Sequence, residues 1–410
     1  MLPLSTSEGT GGRIKAVPED FVVMEITGNG RILEPGRTYA AADLSESAVA
    51  DGRFTTFVLQ KREWNTVQAL TAIAKKVGHG KKSIGYAGTK DRNAVTVQLA
   101  SIFGVVPGQL SSVHLKDLSI NGAWLSSGVE MGSNLGNAFD VTVSGVERPE
   151  NASMVIKELG GMMPNYFDRQ RFGSRLGNAK TGLAIMNGDF ESAAMLILTD
   201  STGETNEAAV SARKRLLEEL DFRAALSYFP RYLKNERRMI EYLSAHEGDY
   251  AGALRRLPRG ISLMFIHAVQ SLIFNLEVER RVRHGDFESD LYCRANPYGF
   301  PDSGAITVEK GEFAVAPLVG YETDAGHITG ERKGILDKLG LTRDSFRIRS
   351  MPELSMKGAF RTILAPVRNL SAEAREDRLR LSFSIPAGSY ATVLVNEVTK
   401  ADDLDLSMLS

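Results

Sequence analysis

Residues 84–102, IGYAGTKDRNAVTVQLASI, decide how this chain reads. Two β-like runs, 83–87 and 94–102, flank a glycine-bearing turn that lifts Lys90, Asp91 and Arg92 in a row. Val95, Val97 and Leu99 alternate with Ala94, Thr96 and Gln98, the period of a strand with one buried face. The turn presents its acid between rigid supports. Read from these residues alone, Asp91 hydrogen-bonds its own backbone as an Asx-turn, with Lys90 and Arg92 as solvated charges. A phosphate-cradling loop is excluded, because GYAGTKD lacks the GxxxxGK(S/T) spacing and no helical run follows it.

Working outward, Pro18 fixes a turn within 13–26, RIKAVPEDFVVMEI, and Phe21–Ile26 reads as a strand. A second strand follows at 54–60. Asn65 then caps a helix to Val77, with Trp64, Val67, Leu70, Ile73, Ala74 and Val77 on its apolar side and Gly78 at its end. Residues 132–143, GSNLGNAFDVTV, place a glycine-rich loop before another alternating strand, and 151–160 form a short helix. The order of strand, helix, strand, acid-bearing turn and strand is α+β and contains no dinucleotide fingerprint. From about 162 to 364 the spacing turns helical, over 211–220, 231–246 and 260–283. Strand-like alternation returns at 379–384, then 385–395, IPAGSYATVLV, and a short final helix or strand follows. Residues 1–12, small and polar with three glycines, are expected to be disordered.

The totals bound the class. A chain of 410 residues, 43% hydrophobic and 24% charged, has room for two domains and a sizeable core. Cys293 is the single cysteine, so no intrachain disulfide can form, and six scattered histidines suggest no metal site. The start, MLPLSTSEGTGG, has no basic opening and no apolar run of signal-peptide length. The longest apolar stretch, 261–274, is broken by His267, Gln270 and Ser271 and reads as too short and too polar to span a bilayer. A cytoplasmic protein without a membrane segment is expected. Net charge is −1, yet the basic residues cluster, at 75–92, at 169–175 and at 213–238, as a backbone-reading surface would require.

These motifs also carry a resemblance. GYAGTKDRNAVTVQ closely resembles the segment that bears the catalytic aspartate in the TruD family of tRNA pseudouridine synthases. Four further segments agree in order: Lys15–Glu25 with KxxPEDFxVxE, the GNAF of 136–139, PNYFDRQRFG at 164–173, and the Pro-Ala-Gly-Ser turn before Tyr390. The resemblance implies a catalytic domain in 1–161 and 365–410, with a mixed or antiparallel sheet and flanking helices. It implies an inserted α+β TRUD domain in 162–364. Asp91 becomes the catalytic nucleophile and Lys15 its ion-pair partner. Phe21, Asn137, Phe139 and Tyr390 become nucleotide-binding residues, where residue-level reading alone makes Phe21 and Phe139 core. Lys90, Arg92, Arg169 and Arg171 are assigned to the RNA backbone. Asn93 departs from the family, standing where a basic residue is common.

The implied reaction breaks the N1–C1′ bond of uridine, turns the base over and joins C5 to C1′, which as an isomerisation needs no cofactor or metal. A carboxylate suits the first step, by attack on C1′ or by removal of a sugar proton. The leaving uracil holds negative charge on its carbonyls, so one acid suffices. The expected partner is tRNA, with uridine 13 as target, and the expected state a monomer. Two other readings use the same residues: an RNA-binding protein that keeps the scaffold without catalysis, and a small-nucleoside glycosidase. The set Lys15, Asp91, Asn137 and Phe139 weighs against the first, and the large insertion with its arginine clusters against the second. His267, in a largely apolar helical run, reads as a packed core histidine.

Overall fold

Residues 1–44, 52–402 and 404–409 are described by the computed structural model, apart from the side chain of Ser303. The alternation around Asp91 becomes the middle of a nine-stranded mixed sheet. Its order is Arg368–Arg375, Arg378–Pro386, Gly136–Ser144, Phe21–Ile26, Val95–Phe103, Phe54–Arg62 and Leu118–Ser126, with Arg13–Ile14 and Ile84–Tyr86 as short additions. Phe21–Ile26 runs parallel to Val95–Phe103 and antiparallel to Gly136–Ser144. Residues opposite one another share a face, so the register draws a map. One row reads Phe383, Phe139, Val23, Thr96 and Lys61; the next reads Ile385, Asn137, Glu25, Gln98 and Leu59, taking Glu25 and Gln98 two residues along their strands from Val23 and Thr96.

Helices cover this face on both sides of the Asp91 turn. Thr66–Lys76 begins at Asn65, whose side chain accepts from the backbone N–H groups of Val67 and Gln68. Leu70, Ile73 and Ala74 pack it onto Phe57, Leu59, Ala100 and Ile102. Asn151–Leu159 and Ala391–Thr399 cover the other side, through Val155, Leu394 and Val398 on Val141, Val143 and Leu381. Two expectations are corrected here. The alternation read through 385–395 ends at Pro386, and Tyr390 stands at the N-cap of the Ala391–Thr399 helix. Residues 1–12 are docked: Leu4 and Ser5 donate to the buried Glu397, and the N–H groups of Thr10 and Gly11 donate to the carbonyls of Val398 and Thr399. Their partners lie almost 400 positions away, beyond any local pattern.

The chain leaves this unit along Met162–Pro164 and returns along Leu364–Pro366, and these two strands pair antiparallel, Pro164 opposite Leu364 and Met162 opposite Pro366. Between them lie seven helices of five or more residues from Asn178 to His284, then a four-stranded sheet. The longest helix, Arg259–His284, is long and apolar enough by composition to cross a membrane, more so than the run at 261–274 suggested, but 72% of its apolar window is buried inside the protein. Ile266, Val269 and Ile273 join Ile185, Leu216, Ile240 and Leu336 in the insertion's core.

One crossing there is set by a missing side chain. A Cβ on Gly182 would stand 2.3 Å from the carbonyl oxygen of Phe265 and 2.6 Å from Val269 Cγ2. Gly182→Ala must therefore push Asn178–Met186 away from the long helix, at a cost of about 1–3 kcal/mol. An unchanged midpoint in urea unfolding would show that this crossing is not held closed in solution.

Candidate active site

The carboxylate meets its counter-charge. Lys15 Nζ lies 3.5 Å from Asp91 Oδ2, with side chains 16% and 35% exposed. Lys15 is held with φ near 62°, a left-handed conformation that costs a non-glycine residue about 1–3 kcal/mol. That turn breaks the alternation after Arg13–Ile14 and swings the lysine over the Phe21 ring, 4.1 Å from its centroid. Phe21 meets Phe139 edge-on at 5.9 Å, and Phe139 stacks on Phe383 at 5.2 Å and 19°. A continuous contact chain thus runs from Asp91 through Lys15 and Phe21 to Phe139.

Phe139 is 7% exposed and Phe21 1%, and one face of Phe139 is already taken by Phe383. In the form seen here both rings are walls of the core, as residue-level reading had them. Asn137 is half-buried, and its Oδ1 is buried with no protein partner among the described residues. It lies opposite Glu25 in register.

Glu25 reaches the turn from beneath, and here an expectation is corrected. Lys90 is not on the surface where a phosphate contact needs it: its side chain is 5% exposed and its ammonium sits 2.6 Å from Glu25 Oε2, itself 1% exposed. Glu25 Oε1 accepts from the N–H of Leu99. The physical reason is that an ionised carboxylate buried in the middle of a sheet requires a cation, and Lys90 is the one the turn can supply. Arg92 does point outward and is exposed.

Tyr390 and the arginines of 164–173 make no hydrogen bond or ion pair to Asp91 among the described residues and form a separate cluster. Arg171 donates to Tyr390 Oη at 3.2 Å, and Tyr390 meets Phe167 edge-on at 6.2 Å. Arg169 is exposed and pairs with Asp402 at 3.1 Å. Arg361, which sequence reading passed over, lies 4.2 Å above the Phe167 ring and donates to Asn165 O, Asn165 Oδ1 and Gly388 O. It ties the insertion's last strand to the turn before Tyr390. Burial pulls its guanidinium down to about 10, and Arg171 adds to the shift. His267 is half-buried, and burial followed by Arg171 lowers its pKa. Arg361 and the loop residues Asn134 and Leu135, beside Asn137, line one cavity of about 440 Å³ with Ser389 and Phe360. In the third basic cluster Arg213 turns inward: it is 1% exposed, donates to the carbonyls of Ile197 and Leu198, and pairs with Glu236, whereas Lys214, Arg215, Arg231, Lys234 and Arg238 are exposed.

A partly exposed, counter-charged carboxylate stands on a turn of a mixed sheet that also carries a buried amide oxygen with no partner among the described residues, which is the makings of a carboxylate-centred site. Comparison with known proteins gives its class. The family model described as tRNA pseudouridine synthase D (TruD) matches residues 2–398. A protein of Methanosarcina mazei named "Probable tRNA pseudouridine synthase D" is 34% identical over 436 residues, spanning 97% of this chain and 95% of that one. Another so named, from Thermococcus sibiricus, is 31% identical and spans 97% of each. The crystal structure of the "tRNA pseudouridine synthase D (TruD) from Methanosarcina mazei" matches with a TM-score of 0.75 at 31% identity, over 98% of this chain and 96% of that one. The chain belongs to the TruD family of tRNA pseudouridine synthases, and its α+β fold is the one that family's solved structure has.

Proposed function

We propose that the enzyme converts uridine 13 of tRNA to pseudouridine with Asp91 as nucleophile. The observation that carries this reading is the 3.5 Å Lys15–Asp91 pair, open enough to meet a substrate and held on a turn whose Asp91 carbonyl accepts from the buried Lys61. The target nucleotide leaves its stack at a cost of a few kcal/mol. Asp91 Oδ forms a bond to C1′ as the N1–C1′ pair withdraws into uracil, whose carbonyls hold the charge. The base turns, C5 attacks C1′, and the carboxylate leaves. The proton then lost from C5 balances the one gained at N1.

Asn137 Oδ1, without a partner among the described residues, accepts from the N3–H of uracil. Phe21 and Phe139 form the wall behind it, and Tyr390 flanks the approach. Arg92, Arg169 and Arg171 take phosphates, and exposed Lys81 and Lys82 extend the same surface. The catalytic domain is assigned to 1–161 and 365–410 and the insertion to 162–364. The protein is assigned to the cytoplasm as a monomer, a compartment that suits its one buried thiol, Cys293.

The test is to incubate purified protein with an unmodified tRNA transcript and map pseudouridine by chemical reverse-transcription stops. A single stop at position 13 is expected. Stops elsewhere with none at 13 would overturn the target, and release of free uracil would favour the glycosidase.

A further inference from the structure

The turn that carries Asp91 is held by side chains rather than by a strand ladder. The N–H of Lys90 donates to Thr66 Oγ1 at 2.9 Å, and Gln98 Nε2 donates to the carbonyl of Gly88 at 3.0 Å. The apex is gripped by Lys61, on Phe54–Arg62, whose Nζ lies 2.7 Å from the carbonyl oxygen of Asp91 and 3.5 Å from that of Lys90. Lys61 is 0% exposed. Among the described residues no carboxylate lies within ion-pair distance of it. The charged groups about it are Lys90 and Asp91 of the turn, Glu25 bound to Lys90, and Lys15 bound to Asp91.

A fully buried ammonium that spends its hydrogen bonds on two adjacent carbonyls is an expensive way to hold a turn, since an amide or hydroxyl would do so without a charge. Burial pushes Lys61 down to about 8, with Asp91 opposing the shift and Lys90 adding to it. What the charge adds is a fixed cation under the residue whose carboxylate must stand still, and preorganisation of that kind raises turnover rather than binding.

We propose that Lys61 is a positioning residue for Asp91, clamping the main chain at the turn's apex so that the carboxylate faces C1′ of the bound nucleotide. The inference rests on Asp91 being the nucleophile. It predicts that in Lys61→Met and Lys61→Gln, assayed as full chains on unmodified tRNA, kcat falls at least tenfold. KM for tRNA stays within about threefold, and Tm within about 5 °C, because the lost hydrogen bonds are offset by removal of a buried charge.

Asp91→Asn is run beside them. Turnover surviving in Asp91→Asn, or absent from the wild type, removes the reading on which the inference rests. With Asp91→Asn inactive, the inference alone is overturned by any of three results: either Lys61 variant folding with kcat less than tenfold reduced, KM rising by more than kcat falls, or both variants failing to fold. The last would make Lys61 a stabilising residue only.

Discussion

Asp91→Ala is expected to abolish pseudouridine formation, by about 10⁴-fold or more in kcat, while tRNA affinity stays within about threefold. The expectation that binding survives comes from how the residue is built in. Among the described residues the side chain of Asp91 makes one ion pair, the partly exposed one with Lys15, and a pair of that kind contributes about 0–1 kcal/mol to stability. Its main chain is held separately, by Lys61 from below and through the neighbouring Lys90 by Thr66. Removing the carboxylate therefore leaves the turn where it is. Lys15 keeps its place over Phe21, and the exposed arginines keep theirs. The measurement is single-turnover conversion of a transcript beside filter binding of the same RNA. Conversion above about one part in a hundred of the wild-type rate would rule Asp91 out as nucleophile, and loss of binding in step with activity would make it a recognition residue instead.

What the sequence makes legible follows from range. The strand at 95–103 is readable because its signal has period two, although both its faces are buried, Thr96 and Gln98 as well as Val97 and Leu99, where one buried face is expected. The helix at 66–76 is readable because Asn65 and Gly78 punctuate it locally. Asp91 and Lys15 are readable as a pair only through resemblance, since 76 positions separate them and nothing in either neighbourhood names the other. The burial of Lys90 is illegible for the same reason: a lysine in a polar turn reads as solvated, and the Glu25 beneath it lies 65 positions away in sequence. Arg213 looked like one charge in a basic run and proves to be buried against helix-end carbonyls.

Lys61 carries a local signal in the sequence. Phe57, Leu59 and Lys61 alternate on the covered face of one strand, so a lysine ends an otherwise apolar stripe. A charge in that position is either a strand end reaching solvent or a buried cation with work to do. Arg361 carried no such mark, because Ala359–Thr362 is short and its neighbours Phe167 and Gly388 come from distant parts of the chain.

Lys90→Met separates two accounts of the same lysine. If Lys90 were a phosphate contact, its loss would weaken tRNA binding, flatten the salt dependence by about one unit of slope and leave stability alone. The buried pair predicts the reverse. With Lys90 gone, Glu25 stays 1% exposed beneath the turn, retaining the N–H of Leu99 but no cation, and a buried pair broken on one side costs about 3–5 kcal/mol. Glu25→Gln should cost a similar amount by stranding the ammonium. The double variant Lys90→Met, Glu25→Leu removes both charges together and should recover most of that stability, since apolar replacements of a buried pair are often neutral or better. Activity should not return with it. The 2.6 Å ion pair is one of the tethers that hold the segment carrying Asp91 onto the sheet, and an apolar contact fills the space without that attraction. Urea unfolding of the three variants with salt-dependent tRNA binding decides the matter. A single-variant loss below about 1 kcal/mol, accompanied by a reduced salt slope, would return Lys90 to the RNA surface.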